Sequence, residues 1–148
     1  MMNILGIQCW KFTKQNKMSK TTNNKIIAVY GSLRQNHGNW RYILNCDPIK
    51  TEVVEIPFKM ISLGSFPGLI PSDELNKITI ELYNVDPKTY ARVEMLEGWP
   101  SFYQKALIPT SMGEIEVYVL ESPRYQSGYD SVKSGDWNEF YKRRYAEA

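Results

Sequence analysis

Five apolar residues in a row, Ile26-Ile27-Ala28-Val29-Tyr30, stop at Gly31. An unbroken run of that length, ended by glycine, reads as a β-strand buried on both faces rather than as an alternating surface strand. Such a strand needs covering layers on both sides. It points to a sheet with flanking helices, and the 148-residue chain is long enough for one such core but not for two.

The other elements expected are short. Asn39 to Leu44 fits a short helix with Trp40, Ile43 and Leu44 on one side. Val53–Ile56 and Met60–Leu63 read as two strands separated by Pro57, and Gly64, Pro67, Gly68 and Pro71 as a loop without regular structure. Lys77–Tyr83 alternates like a half-buried strand. Asp86-Pro87 is a helix start, an N-cap residue followed by a proline whose missing N–H is not needed there. Tyr90, Val93 and Met95/Leu96 supply an apolar stripe, and Gly98 a stop. Strands near Phe102–Ile108 and Glu114–Leu120 follow, the second with Ile115, Val117 and Val119 inward and Glu114, Glu116 and Tyr118 on the other phase. A last helix from Asp136 can pack Trp137, Phe140 and Tyr141. The expected fold is mixed α/β (α+β), a small curled sheet or barrel.

Residues 1–24 read as a flexible leader ahead of a single domain over 25–148, with Met18 as a possible alternative start. Four of the 18 basic residues, Lys11, Lys14, Lys17 and Lys20, lie in that leader, which has no acidic residue; the other 14 stand against 16 acidic ones. The domain is therefore slightly negative, which argues against a nucleic-acid partner. No apolar run approaches the roughly 20 residues of a membrane-spanning helix. The expected location is the cytoplasm, with no membrane association. One histidine, His37, and two cysteines, Cys9 and Cys46, leave no ligand set for a metal and no second imidazole for a triad.

Two places could carry chemistry. Tyr30-Gly31-Ser32-Leu33-Arg34 follows the buried strand, where successive amides can form a concavity for a carboxylate, with the Ser32 hydroxyl as a further donor. Equally, it reads as an ordinary strand-ending turn. Glu97 closes the helix that Asp86 opens. The negative end of the helix dipole and Glu94 three residues earlier should both raise its pKa and suit it to proton transfer. It reads equally as a solvated helix-end glutamate. His37 sits in a polar turn, Cys46 has no close basic neighbour to activate it, and the aromatics from Tyr125 to Tyr141 fit a core or a lid.

Together these residues resemble the γ-glutamylcyclotransferase-like family, especially its γ-glutamylamine cyclotransferase and AIG2-like branch. Val29-Tyr30-Gly31-Ser32-Leu33-Arg34 with Gly38-Asn39, then Gly64-Ser65-Phe66-Pro67-Gly68, then Glu97-Gly98-Trp99-Pro100 leading to Tyr103 occur in the family's order. Lys105 and Glu94 depart, standing where the family often carries arginine and aspartate. The resemblance implies a small mixed barrel with flanking helices and a pocket where the Tyr30–Leu33 turn meets Glu97. It implies cleavage of a γ-glutamyl amide by its own α-amine, releasing 5-oxoproline. Tyr30, Gly31, Ser32 and Leu33 would hold the glutamyl end, Glu97 would carry protons, and Tyr103 would line the pocket. No cofactor is implied. The alternative is a binding protein that holds an amino-acid-like or nucleotide-like ligand without turnover; a purely structural domain would hold no ligand.

Overall fold

The structure, a computed structural model, describes residues 23–146. The leader expected over 1–24 lies almost wholly outside them. Lys25–Val29 forms β1. It pairs antiparallel with β3 (Pro67–Val85) and parallel with β5 (Gly113–Val119). β2 (Lys50–Ser62) lies beyond β3 and β4 (Gln104–Thr110) beyond β5, so the order is β2-β3-β1-β5-β4. The apolar run is thus the central strand, with Ile27 and Ala28 on opposite faces and both buried.

The sheet curls but does not close. Ser111, in the β4–β5 turn, donates from its amide and hydroxyl to the Glu52 carboxylate of β2, and Lys50 Nζ donates to the Ser111 hydroxyl at 3.0 Å. Side chains bridge the two outer strands where a barrel would have a backbone ladder. The expected barrel is therefore an open, stapled sheet.

On the β2–β3 side the sequence expectation needs correction. Val53–Ile56 and Met60–Leu63 belong to one strand, whose register against β3 shifts between Ile56 and Phe58. Pro57, lacking an N–H, sits in that irregularity. The expected Gly64–Pro71 loop is mostly strand: Pro67, Gly68 and Pro71 lie in β3 opposite Ser62, Ile61 and Phe58. β1 pairs with β3 only from Glu81 to Val85, so over its first two-thirds β3 has one partner strand and tolerates proline.

Among the described residues three α-helices flank the sheet: α1 (Gly38–Ile43), α2 (Pro87–Glu97) and α3 (Trp137–Ala146). Asp86 caps α2, accepting from the Thr89 amide at 2.7 Å, and Gly98 ends it with φ 65°, a left-handed turn that glycine adopts without strain. The apolar stripe is narrower than expected. Val93 is buried, but Met95 is 83% exposed and Leu96 40% exposed. In α3, Trp137 is buried and stacks on Phe140 at 5.4 Å.

One buried ion pair ties these layers together. Arg34 Nε donates to Glu81 Oε2 at 2.8 Å, and its Nη1 to Asp136 Oδ1 at 2.8 Å. The second Glu81 oxygen accepts from the Gln35 amide and the Tyr83 hydroxyl, each at 2.8 Å. Removing one member of a buried, fully bonded pair strands the other charge in the core. Arg34→Met should therefore destabilise by about 3–5 kcal/mol in urea unfolding. Lys25→Met, which breaks the half-exposed Lys25–Glu116 pair, should cost less than about 1 kcal/mol.

Candidate active site

The turn after β1 is built from its own backbone. Arg34 N–H donates to the Gly31 carbonyl at 2.9 Å, and His37 N–H to the Arg34 carbonyl at 3.1 Å. Among the described residues, no hydrogen bond within the turn uses the N–H of Gly31, Ser32 or Leu33. The Arg34 side chain points away, into the ion pair with Glu81, so the turn is anchored from behind. Gly31 is required by close approach: a Cβ there would lie 2.7 Å from Pro67 Cδ. Pro67 is itself fixed, its carbonyl accepting from the Tyr103 hydroxyl at 2.7 Å. Ser32 Oγ accepts from Asn39 Nδ2 of α1 at 2.9 Å, which leaves the serine hydrogen free to donate.

Between this turn and the end of α2 lies a cavity of about 450 Å³, within the usual size of a small-molecule site. Tyr30, Gly31, Ser32, Leu33, Glu97 and Tyr103 all line it. The six residues named from sequence thus converge on one cavity, but not all through side chains. The Tyr30 hydroxyl donates to the Tyr118 carbonyl at 2.7 Å and accepts from the Leu69 amide at 3.2 Å, so its phenol is fully engaged. The Tyr103 hydroxyl is engaged with Pro67. Both tyrosines build the wall.

Glu97 differs from its sequence reading in the cause of its shift. Burial pushes its carboxyl from 4.5 up to about 7, in a cavity whose other lining groups are apolar or uncharged. Burial alone accounts for the shift, without the expected repulsion from Glu94, whose carboxylate pairs with Lys105 Nζ. That lysine also donates to the Tyr90 hydroxyl at 2.8 Å and sits 3.7 Å from the centre of the Trp99 ring. Tyr90 in turn donates to Glu116, which lies on the phase of β5 opposite Ile115, Val117 and Val119 and also accepts from Lys25 at 3.0 Å. The cluster pins α2, and Glu97 with it, onto β1, β4 and β5.

The remaining candidates lie elsewhere. His37 Nε2 shares a hydrogen bond with Asn138 Oδ1 at 2.7 Å, and neither His37 nor Cys46 lines the cavity. Of the C-terminal aromatics, Tyr125 packs edge-on against Phe102, a cavity-lining ring, at 6.2 Å, whereas Trp137 and Phe140 join the opposite core. Tyr118 was missed. Its place in the polar phase of β5 hid it, yet it is 4% exposed and lines the cavity. Among the described residues no group of three or more His, Cys, Asp or Glu side chains converges to hold a metal. Among the described residues no helix is long and apolar enough to cross a membrane.

The Glu97 shift has a sign in stability. Unfolded, this carboxyl titrates near 4.5; folded, near 7. The folded protein therefore holds the proton more tightly, an advantage complete below pH 4.5 and lost as pH rises through 7. Between pH 4.5 and 8 the wild type should lose on the order of 1–3 kcal/mol that Glu97→Gln retains. Urea unfolding of both proteins at the two pH values measures the difference, and groups common to both cancel.

The match to known proteins covers the same ground. The family described as Gamma-glutamyl cyclotransferase, AIG2-like, matches residues 27–139. The chain is 32% identical over 111 residues to the γ-glutamylcyclotransferase family protein YtfP of Escherichia coli K12, covering 75% of this chain and 94% of YtfP. The solution structure of ytfP from E. coli superposes with a TM-score of 0.60 at 31% identity, over 79% of this chain and 99% of that one. Protein PH0828 of Pyrococcus horikoshii, at 22% identity, shares the fold alone, with a TM-score of 0.67 over 82% of this chain and 97% of its own. A chain whose glycine-serine turn and helix-end glutamate meet in one cavity, and whose residues 27–139 match throughout, belongs to the AIG2-like γ-glutamyl cyclotransferase family.

Proposed function

We propose that the protein is a γ-glutamyl cyclotransferase that cleaves a γ-glutamyl amide by attack of its own α-amine on the γ-carbonyl carbon. The observation that carries this reading is a cavity in which, among the described residues, Glu97 is the one charged side chain, its pKa raised to about 7, and in which the turn amides of Gly31, Ser32 and Leu33 make no hydrogen bond within the turn. The amides of Gly31, Ser32 and Leu33 take the α-carboxylate. Glu97, partly ionised at neutral pH, accepts a proton from the α-nitrogen and returns one to the departing nitrogen.

The new C–N bond closes the five-membered lactam as the old amide C–N bond breaks. The α-ammonium gives up two protons in becoming the lactam N–H, and the leaving nitrogen gains two in departing as an ammonium ion. No water is consumed. Nucleophile and carbonyl lie in one molecule, so a pocket that folds the substrate correctly draws on the roughly 7–11 kcal/mol available from positioning. The lining favours certain leaving groups. Phe66, Leu96 and Phe102 are apolar, and among the described residues none that lines the cavity is a cation that could pair with a second carboxylate. A γ-glutamylamine therefore suits the cavity better than glutathione.

Incubation with a panel of γ-glutamyl amides, read by 5-oxoproline release, tests the assignment. Wild-type protein should release 5-oxoproline, with kcat/KM falling as pH drops below about 7, while folded Glu97→Gln should lose about 10²–10⁴-fold in kcat. Tight stoichiometric binding without product would instead favour the binding-protein reading.

A further inference from the structure

Three tyrosines line the cavity, and their hydroxyls differ in what they do. Tyr30 donates to the Tyr118 carbonyl and Tyr103 to the Pro67 carbonyl. The hydroxyl of Tyr118 is buried and has no hydrogen-bond partner among the described residues. Folded proteins rarely leave such a group unpaired, since burying it forfeits its bonds to water with nothing in return. Tyr118 itself lines the cavity that Glu97 lines.

We propose that the Tyr118 hydroxyl donates a hydrogen bond to the γ-carbonyl oxygen of the bound glutamyl group and meets the negative charge that gathers there as the ring closes. This rests on the cyclotransferase reading for the identity of the ligand. The α-carboxylate is accounted for by the turn amides and both nitrogens by Glu97, which leaves the carbonyl oxygen as the polar atom still needing a donor. An ionised Glu97 cannot supply one, the Tyr30 and Tyr103 hydrogens are engaged, and the Ser32 hydroxyl belongs to the turn that takes the α-carboxylate. Tyr118 stands near Glu97, whose charge reaches it together with those of Glu94 and Glu116. Lys105 Nζ lies 6.0 Å from its ring centre, and the Tyr103 ring packs edge-on against it at 6.4 Å. Burial first, and those negative neighbours second, push the Tyr118 phenol far above its ordinary pKa, so it keeps its proton and acts only as a donor. No proton leaves Tyr118 during the reaction; its contribution is a preplaced dipole.

Tyr118→Phe separates this role from a structural one. Deleting an unpartnered hydroxyl should leave Tm unchanged or raise it by roughly 2–4 °C, whereas Tyr103→Phe, which breaks a formed bond, should lower it. Tyr118→Phe should cut kcat on the order of 10²-fold with KM changed by less than about threefold. Its affinity for 5-oxoproline, which keeps the same carbonyl, should fall about tenfold by calorimetry. Turnover and 5-oxoproline affinity both within about threefold of wild type would overturn the proposal and leave the cyclotransferase reading standing. A fall in Tm matching that of Tyr103→Phe would make the hydroxyl structural and also overturn it. Wild-type protein that binds 5-oxoproline but releases none, with binding weakened tenfold in Tyr118→Phe, would uphold the donor and sink the cyclotransferase reading. Absence of both binding and turnover in the wild type would sink both.

Discussion

The Arg34 guanidinium is the joint on which this molecule turns. It links the end of β1 to Glu81 in β3 and to Asp136, whose carboxylate also accepts from the Asn138 and Glu139 amides at the start of α3. Two carboxylates and a guanidinium, largely withdrawn from water, are tolerated because the guanidinium donates to both carboxylates and Glu81 accepts at both of its oxygens. The consequence for the site is indirect but firm. With Arg34 drawn backwards into the core, the preceding three residues are left lining the cavity.

The opposite wall is held by different means. Tyr30 and Tyr103 use their hydroxyls to lock β5 and the start of β3 at fixed distances from the turn, and the Pro67 ring fills the space that a Gly31 side chain would occupy. The Lys105 cluster then clamps α2 against the sheet, placing its last residue in the cavity. Glu97 is thus carried by a rigid element into an apolar setting, and desolvation does the tuning. The arrangement needs a carboxyl poised between its two protonation states, and burial without a partnering cation supplies one.

Much of this was legible in the chain. The apolar run Ile26–Tyr30 had to be central, Asp86-Pro87 had to start a helix, and Gly98 had to stop it; each follows from local physics that tertiary packing did not override. The turn and Glu97 were legible as candidates because both break local expectation, one by glycine at a strand end and one by a carboxylate at the wrong helix end. What failed depended on partners distant in sequence. Prolines 67 and 71 could enter β3 only because β1 pairs with a short part of it. The Glu97 shift could not be attributed correctly without knowing that the cavity buries its carboxyl. Tyr118 looked like a surface residue because alternation reads one face as wet, and α2 covers that face.

The central claim is that Glu97 is desolvated inside the cavity rather than solvated at a helix end. Carbon-detected NMR titration of its side-chain carboxyl in the folded wild-type protein tests this most directly. A midpoint near 7 is the result this account requires. A midpoint near 4.3, the value of a glutamate in water, would contradict it.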